Sequence, residues 1–483
     1  MKKLGLYLGK VLLGLIIILG VGVKAHAEDG QPSMMDLIKE ANYQAQESDK
    51  PKSAILVDGN TGKLLWGENE DTPHNPASIM KLMVIYLTYE AMANGKFNMD
   101  TEVVATPRHQ QIAGIYEISN NKIQAGVSYP IKELIPMALV PSSNVATMML
   151  AEQVDPNAVS FLKKMNDKAQ ELGMKNTKIV NATGAEVSSF QGLYGAEGVD
   201  TSSLDVNGSN VTTARDFATF SFHLIKNYPQ VLEYTSSPVI TVMKGTPQEE
   251  TFETYNYSIP NNGKVYEDVD KNYDFEGVDG LKTGSSPSGA FNIDATAKRG
   301  ELRLIAIAFG VGDWSDQTGE YKRHPFVNAM LNHGFNNYEY KELAKKGEQT
   351  INDKVVNLAE PISDVVKKGE TPKLKLNEDK TVTVENSLKE VNETVKPVGV
   401  KYEEVDQGVV EQTKKQTKNI LDEVNKTVDM SNPIIKAVVI TFSVIFFLII
   451  FLVLLLVRSN RKRKKARRER MRRFENMGKS DEE

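Results

Sequence analysis

Apolar residues fall along this chain in three textures, and each predicts a different kind of element. One is unbroken: residues 11–23 and 437–457 hold no charge at all. The second recurs at helical spacing, or is apolar all round, over 35–44, 78–94, 131–153, 158–172 and 213–226, and predicts helices. The last of these opens on Thr212-Thr213, a pair suited to capping. The third texture is short and β-like, over 53–58 and 63–66 around a turn at 59–62, and again over 277–284, 291–297 and 302–310 with a turn at 298–301. Strands at both ends of a region with helices between them predict an α+β domain, one antiparallel sheet flanked by helices and ending near Tyr340. Beyond Lys346 the alternation is short and set among Lys, Asp and Asn, so residues 346–400 read as a small β-rich spacer or docking domain. Residues 401–432 are polar with helical spacing and read as a stalk.

The unbroken stretches turn this into the pattern of an exported chain. Lys2, Lys3 and Lys10 precede the first, which closes on Ala25-His26-Ala27, so residues 1–27 read as a signal peptide and 28–345 as the catalytic domain. An uncleaved anchor is the alternative. The second stretch, 21 residues long, reaches about 32 Å as a helix, enough to cross a bilayer, and a transmembrane helix is expected over 433–457. Between Arg458 and Arg473 eleven Lys or Arg residues face one acid, Glu469, which places the tail, 458–483, in the cytoplasm and the catalytic body outside the cell. Nucleic-acid binding is the competing reading of that run, and its position directly after a span speaks against it. The formal net charge is −5 although both ends are basic, so the body between them is acidic and unsuited to binding nucleic acid. The chain has no cysteine, which excludes disulfides, zinc-thiolate sites and thiol catalysis, and its six histidines show no metal-binding spacing. No metal and no cofactor are expected.

Candidate chemistry concentrates in three short motifs. Ser78-Ile79-Met80-Lys81 follows Pro76, a helix-start signal, and leads into a run in which Lys81 is the only charge from Ser78 to Thr88. Ser78 and Lys81 share a face of that helix, and a buried ammonium relieves its cost by losing its proton, which makes it a base beside the hydroxyl. Pairing of Lys81 with a core carboxylate is the bland alternative. Three other S-x-x-K runs, at Ser119, Ser160 and Ser459, lie in polar, amphipathic or cytoplasmic contexts. The second motif, Ser142-Ser143-Asn144, interrupts apolar helical surroundings, where a polar triplet alone could mark a cap. The third, Lys282-Thr283-Gly284, ends a predicted strand just before Ser285 and offers a charge, a hydroxyl and close backbone approach to a carboxylate-bearing ligand.

Taken in order, S-x-x-K, S-x-N and K-T-G resemble the signature of the penicillin-recognising serine enzymes, over roughly residues 30–340. With its leader, β-rich module and anchor, the chain resembles the low-molecular-weight penicillin-binding proteins, serine-type D-alanyl-D-alanine carboxypeptidases, and is most similar to the Gram-positive penicillin-binding protein 4 type. Residues 74–78, 173–177 and 181–186 (NATGAE) carry the likeness further, with Ala182 where such enzymes often have proline. The resemblance implies a β-lactamase/transpeptidase-like fold, stem peptides ending in D-Ala-D-Ala as substrate, and acylation by β-lactam antibiotics. It implies Ser78 as nucleophile, Lys81 as base, Ser142 as proton relay and Asn144 as a holder of the substrate amide. Lys282 and Thr283, with Gly284 at their strand end, would bind the terminal carboxylate, and the N–H groups of Ser78 and Ser285 would form the oxyanion hole. Some relatives carry a carboxylate-binding arginine directly after a Gly-Gly pair; here that place reads Gly312-Asp313, and Arg323 is the substitute. A cross-linking transpeptidase shares the same intermediate. A β-lactamase would need a dedicated deacylating carboxylate, for which only Glu186 offers itself, and a β-lactam sensor would need more than the 26 residues after Val457.

Overall fold

The strands expected at the two ends of the α+β region lie side by side in one sheet. The computed structural model describes residues 30–260, 273–405 and 418–419. Helix α1 (Met34–Glu40) precedes the hairpin of β1 (Ser53–Asp58) and β2 (Leu64–Glu68). A 3₁₀ turn at Ala77–Met80 runs into α2 (Lys81–Ala93). The ribbon of β3 (Glu102–Val104) and β4 (Ser128–Pro130) encloses α3 (Pro107–Ala113). Then come α4 (Ile131–Leu139), α5 (Asn144–Val154), α6 (Ala158–Glu171), α7 (Ala214–Asn227) and the single turn α8 (Leu232–Thr235). A ribbon of β5 (Val239–Val242) and β6 (Glu250–Glu253) leads to three long strands, β7 (Val278–Ser286), β8 (Ala290–Arg299) and β9 (Leu302–Val311), and to α9 (Gly319–Asn337).

The main sheet is antiparallel throughout, in the order β2-β1-β9-β8-β7, with Ala54 opposite Ala308 and Val57 opposite Ile305. Its alternation sorts side chains between two cores. Leu56, Leu304 and Ala306 join Met34, Leu37, Phe326 and Met330 from α1 and α9. Ile55, Val57, Ile305 and Phe309 join α2, α4, α5 and α7 on the other face. Both faces are covered, which is why β1 is buried at every position.

Three expectations are corrected. Residues 131–153 are two helices, not one: Ser142 takes a left-handed backbone (φ 61°), and the Ser143 hydroxyl then caps α5 by accepting the Ala146 N–H. Helix α9 had no counterpart in the periodicity, because Gly319, Pro325 and four asparagines dilute its pattern. Pro325 cannot donate to the Tyr321 carbonyl one turn back; His324 Nδ1 donates to it instead at 3.0 Å, and the ring's Nε2 accepts the Tyr257 N–H. The β-rich module is also longer than 346–400. Its strand β10 (Tyr338–Ala344) lies upstream of that boundary and pairs with β13 (Ile362–Lys367), and β16 (Val400–Glu404) reaches into the range read as stalk, Val400 and Tyr402 alternating inward. Between them lie β11 (Gly347–Ile351), β12 (Lys354–Leu358), β14 (Lys373–Leu376) and β15 (Thr381–Glu385), in a second sheet ordered β11-β12-β16-β15-β14.

The module is bound back to the body by the segment before β16. Leu64 N–H donates to Lys389 O, Val391 N–H to Gly62 O and Arg215 Nη1 to Val391 O, while Val391 and Val395 enter the body's helical-side core. Beneath this contact Lys63 pairs with Asp364 at 3.3 Å, both buried. Among the described residues no helix is long and apolar enough to cross a membrane. The expected signal peptide (1–27), transmembrane helix (433–457) and basic tail (458–483) lie outside the described residues, as does most of the stalk.

Two carboxyls inside the body are pushed up to about 7 by burial, Asp58 beside Asp364 and Asp294 beneath Ser221. A carboxyl whose folded pKa lies above its unfolded value of 3.8 holds its proton longer in the folded state, so it draws down stability as pH rises from about 4 to about 7 and no further. Asn in place of Asp mimics the protonated acid. Thermal unfolding followed by circular dichroism should show Asp58→Asn and Asp294→Asn gaining on the parent protein across that window; identical pH profiles would contradict the assignment.

Candidate active site

The 3₁₀ turn that begins at Ala77 is held from both sides before it presents anything. Ala77 has a left-handed backbone (φ 49°), and its N–H donates to Asn75 Oδ1 at 2.9 Å. Asn75 in turn donates through Nδ2 to Ser288 Oγ at 2.8 Å, and its carbonyl accepts Asn292 Nδ2 from β8 at 3.0 Å. Across the turn lies residues 181–186. A Cβ on Gly184 (φ +88°) would fall 1.9 Å from the Ala77 carbonyl oxygen, so only glycine fits there. The turn thus offers Ser78 from a rigid mount.

Lys81, one turn on, has no solvent exposure. Its Nζ lies 2.9 Å from Ser78 Oγ and donates to the Thr183 carbonyl at 2.8 Å. No carboxylate pairs with it among the described residues, which disposes of the core ion pair. Burial, reinforced by the nearby Lys282 charge, holds its pKa well below the usual lysine range. Loss of the proton is thereby made easier at an amine that lies against the hydroxyl.

Ser142 and Asn144 reach the same region from the break between α4 and α5, the helix that packs on α2. Both are buried. The Asn144 side chain donates to Ser119 O at 2.8 Å, which leaves its Oδ1, like Ser142 Oγ, without a partner among the described residues. Two buried polar atoms left open at one place suit a polar ligand or a transferred proton.

Lys282, Thr283, Gly284 and Ser285 lie on β7, the edge strand of the main sheet, against the turn that carries Ser78. A Cβ at Gly284 would meet the Pro76 carbonyl at 2.6 Å and Ser78 N at 2.9 Å. Glycine here lets a strand approach the serine's own N–H. Lys282 and Thr283 are buried, and burial together with Arg323 lowers the Lys282 pKa to about 7. Arg323, on α9, donates through Nη1 to Ser285 Oγ at 3.1 Å and through Nη2 to Tyr255 O at 3.3 Å. Burial lowers it to about 10. Neither cation has an ion-pair partner among the described residues. His324, lowered by burial to about 3, stays neutral and keeps the Tyr257 loop in place.

Ser78 and Lys81 on the turn, Lys282 to Ser285 on the edge strand and Arg323 on α9 are thus brought together, while Ser142 and Asn144 stand at the head of α5, which packs on α2. Thr183, Asn75 and Asn292 were not singled out. Thr183 acts through its backbone, which carries no sequence signal; the run 181–186 was noted only as a likeness. Among the described residues no group of His, Asp or Glu is placed to hold a metal ion.

Comparison with known proteins agrees with this geometry. A family model described as D-alanyl-D-alanine carboxypeptidase, peptidase S11, matches residues 40–312, and one for a domain of unknown function matches residues 340–403. The chain is 29% identical to the D-alanyl-D-alanine carboxypeptidase DacF of Bacillus subtilis over 77% of its own length and 82% of the relative's. It is 27% identical to DacA of Escherichia coli over 63% of its length and 65% of the relative's. Among solved structures, a peptidoglycan synthesis regulatory factor (PBP3) from Streptococcus pneumoniae superposes with a TM-score of 0.60 at 24% identity, covering 73% of this chain and 98% of that one. Penicillin binding protein 5 from Haemophilus influenzae does so at 0.54 and 20% identity, covering 74% and 98%. These two likenesses are of fold. With a buried lysine against a serine and a matched family model over more than half its length, the chain belongs to the serine-type D-alanyl-D-alanine carboxypeptidases of peptidase family S11.

Proposed function

We propose that this chain is a membrane-anchored, extracytoplasmic carboxypeptidase that removes the terminal D-alanine of peptidoglycan stem peptides through an acyl-enzyme on Ser78, and that β-lactams acylate the same oxygen. The observation that carries the reading is the 2.9 Å contact between Ser78 Oγ and a fully buried Lys81 whose pKa burial holds well below the usual lysine range. The neutral amine takes the hydroxyl proton as Oγ bonds to the carbonyl of the penultimate D-alanine. The Ser78 and Ser285 N–H groups receive the oxyanion, a contribution of about 3–4 kcal/mol per donor. The proton then passes by way of Ser142 to the departing amine as the C–N bond breaks. Asn144 holds the substrate amide, and Lys282, Thr283 and Arg323 receive the terminal carboxylate. Water completes the cycle, taking the acyl group from Ser78; an amino group in its place gives a transpeptidase. Anchoring rests on residues 437–457 and the basic run after them.

The purified protein incubated with a pentapeptide muropeptide should yield, by mass spectrometry, a tetrapeptide product lacking one alanine. A larger, cross-linked product would mark transpeptidation, and no product would remove the carboxypeptidase reading. Ser78→Ala should abolish both this release and labelling by a fluorescent penicillin, with the fold kept, since the Ser78 hydroxyl caps no helix. Labelling that maps to Ser119, Ser142 or Ser160 would overturn the mechanism.

Because Lys282 sits near pKa 7 when the site is empty, it is charged below that pH and loses its charge above it, so KM for an acyl-D-Ala-D-Ala peptide should rise as pH increases past about 7. Lys282→Ala should remove that pH dependence and lower kcat/KM by about 10- to 150-fold, the loss of a charge-assisted bond of about 1.5–3 kcal/mol. A variant with the parent's profile would take Lys282 out of the site.

Protease added to intact protoplasts should digest most of the chain and spare a short C-terminal fragment. Protection of the full-length protein would sink the proposed topology.

A further inference from the structure

A neutral lysine has one lone pair, and it can accept the Ser78 proton only when that pair faces the hydroxyl. The Thr183 carbonyl sets this rotation by taking an N–H at 2.8 Å. The carbonyl rides on a loop, and the loop is fixed one residue earlier, where Ala182 N–H donates to the Tyr194 hydroxyl at 2.7 Å. Ala182 is 2% exposed and Tyr194 3%, so water cannot stand in for either partner. Tyr194 is braced in turn. Phe190 meets its ring edge-on with centroids 5.0 Å apart, and Arg108 Nη1 donates to the Leu193 carbonyl at 2.7 Å while its Nη2 pairs with Glu152.

We infer that the Tyr194 hydroxyl is a positioning group for the acylation step, acting through Ala182 N–H and the Thr183 carbonyl on the orientation of Lys81. This rests on the reading of Ser78 as nucleophile and Lys81 as its base. A proline at position 182 could not make this contact, having no N–H; the alanine makes the tyrosine part of the site. Without the hydroxyl, Ala182 N–H is buried and unsatisfied, and the loop shifts to relieve it. Two effects follow at Lys81. The lone pair is no longer aimed, which slows proton transfer. The ammonium also loses an acceptor that favours the charged form, so the lysine pKa falls further and the acidic limb of the rate profile moves to lower pH. The carboxylate-binding wall of β7 and α9 is not involved.

The test is kcat and KM for D-alanine release from an acyl-D-Ala-D-Ala peptide, measured across pH on the full-length protein in detergent. Tyr194→Phe keeps the ring and should lower kcat about 3- to 30-fold, a misplacement effect, with KM unchanged and the acidic limb displaced downward. Ala182→Pro removes the donor, and on that background Tyr194→Phe should cost nothing more, since the two act through one bond. Thermal unfolding of each variant is followed in parallel, so that loss of fold is recognised. Parent-like kcat and pH profile in Tyr194→Phe would overturn the proposal, as would a lowered kcat with an unmoved limb, or independent losses that multiply in the double variant. Ser78→Ala separates the two levels. If it still releases D-alanine, the underlying mechanism fails; if it is inactive while Tyr194→Phe matches the parent, only the positioning role falls.

Discussion

The catalytic region is organised around one unfavourable act, the complete burial of the Lys81 amine. A lysine kept in water would remain an ammonium and could only donate to Ser78. Taken out of water, with Lys282 near it and no carboxylate paired to it among the described residues, it holds its proton less tightly than a lysine in water does. The surroundings follow from that requirement. Helix α2 is apolar on all sides so that it can be enclosed, α5 packs on it, and a single backbone carbonyl replaces the solvent that the amine has lost.

The second wall of the site solves the opposite problem, holding positive charge where it is costly. Lys282 and Arg323 are both buried, and each is lowered by that burial. The sheet makes this affordable because β7 is its edge strand: one side is fixed by β8, and the other is free to lie against the nucleophile turn. Arg323 is held from behind by α9, which keeps its path despite Pro325 because the His324 ring takes over the carbonyl that the proline leaves.

Much of this could be read before the structure, and the divisions are instructive. Helix α2 and its Ser78–Lys81 pair were visible because a lone charge in an apolar run is a local signal. The strands of the main sheet were visible because each is a buried run bounded by turn residues. The break at Ser142 was signalled only as a polar triplet that could mark a cap, and what fixes it lies far off in the chain: Asn144 N–H bonds to Ser119 O and Val145 N–H to Asn120 Oδ1. Helix α9 hid behind its glycine, proline and asparagines, its stability coming from packing on the sheet rather than from its own propensity. The Thr183 carbonyl could not be read at all, because any residue supplies one. The β10 and β16 ends of the module were misplaced for a related reason: strand pairings are chosen by the partner strand, not by the segment alone.

The pairing of β1 with β9 also sets an order of events in time. β1 is made early in synthesis, yet its neighbour across the sheet appears only when the chain has grown to residue 311, and Val391 and Val395 close the same core later still. Until then β1 and β2 form a lone hairpin, which is marginal in water, and both apolar faces of β1 stay uncovered. A growing chain is thus held open by its own topology, unable to lock into its final shape until nearly all of the body has been made. Late closure keeps the chain extended for longer. Its cost is a long interval in which an exposed strand edge can pair with the wrong neighbour.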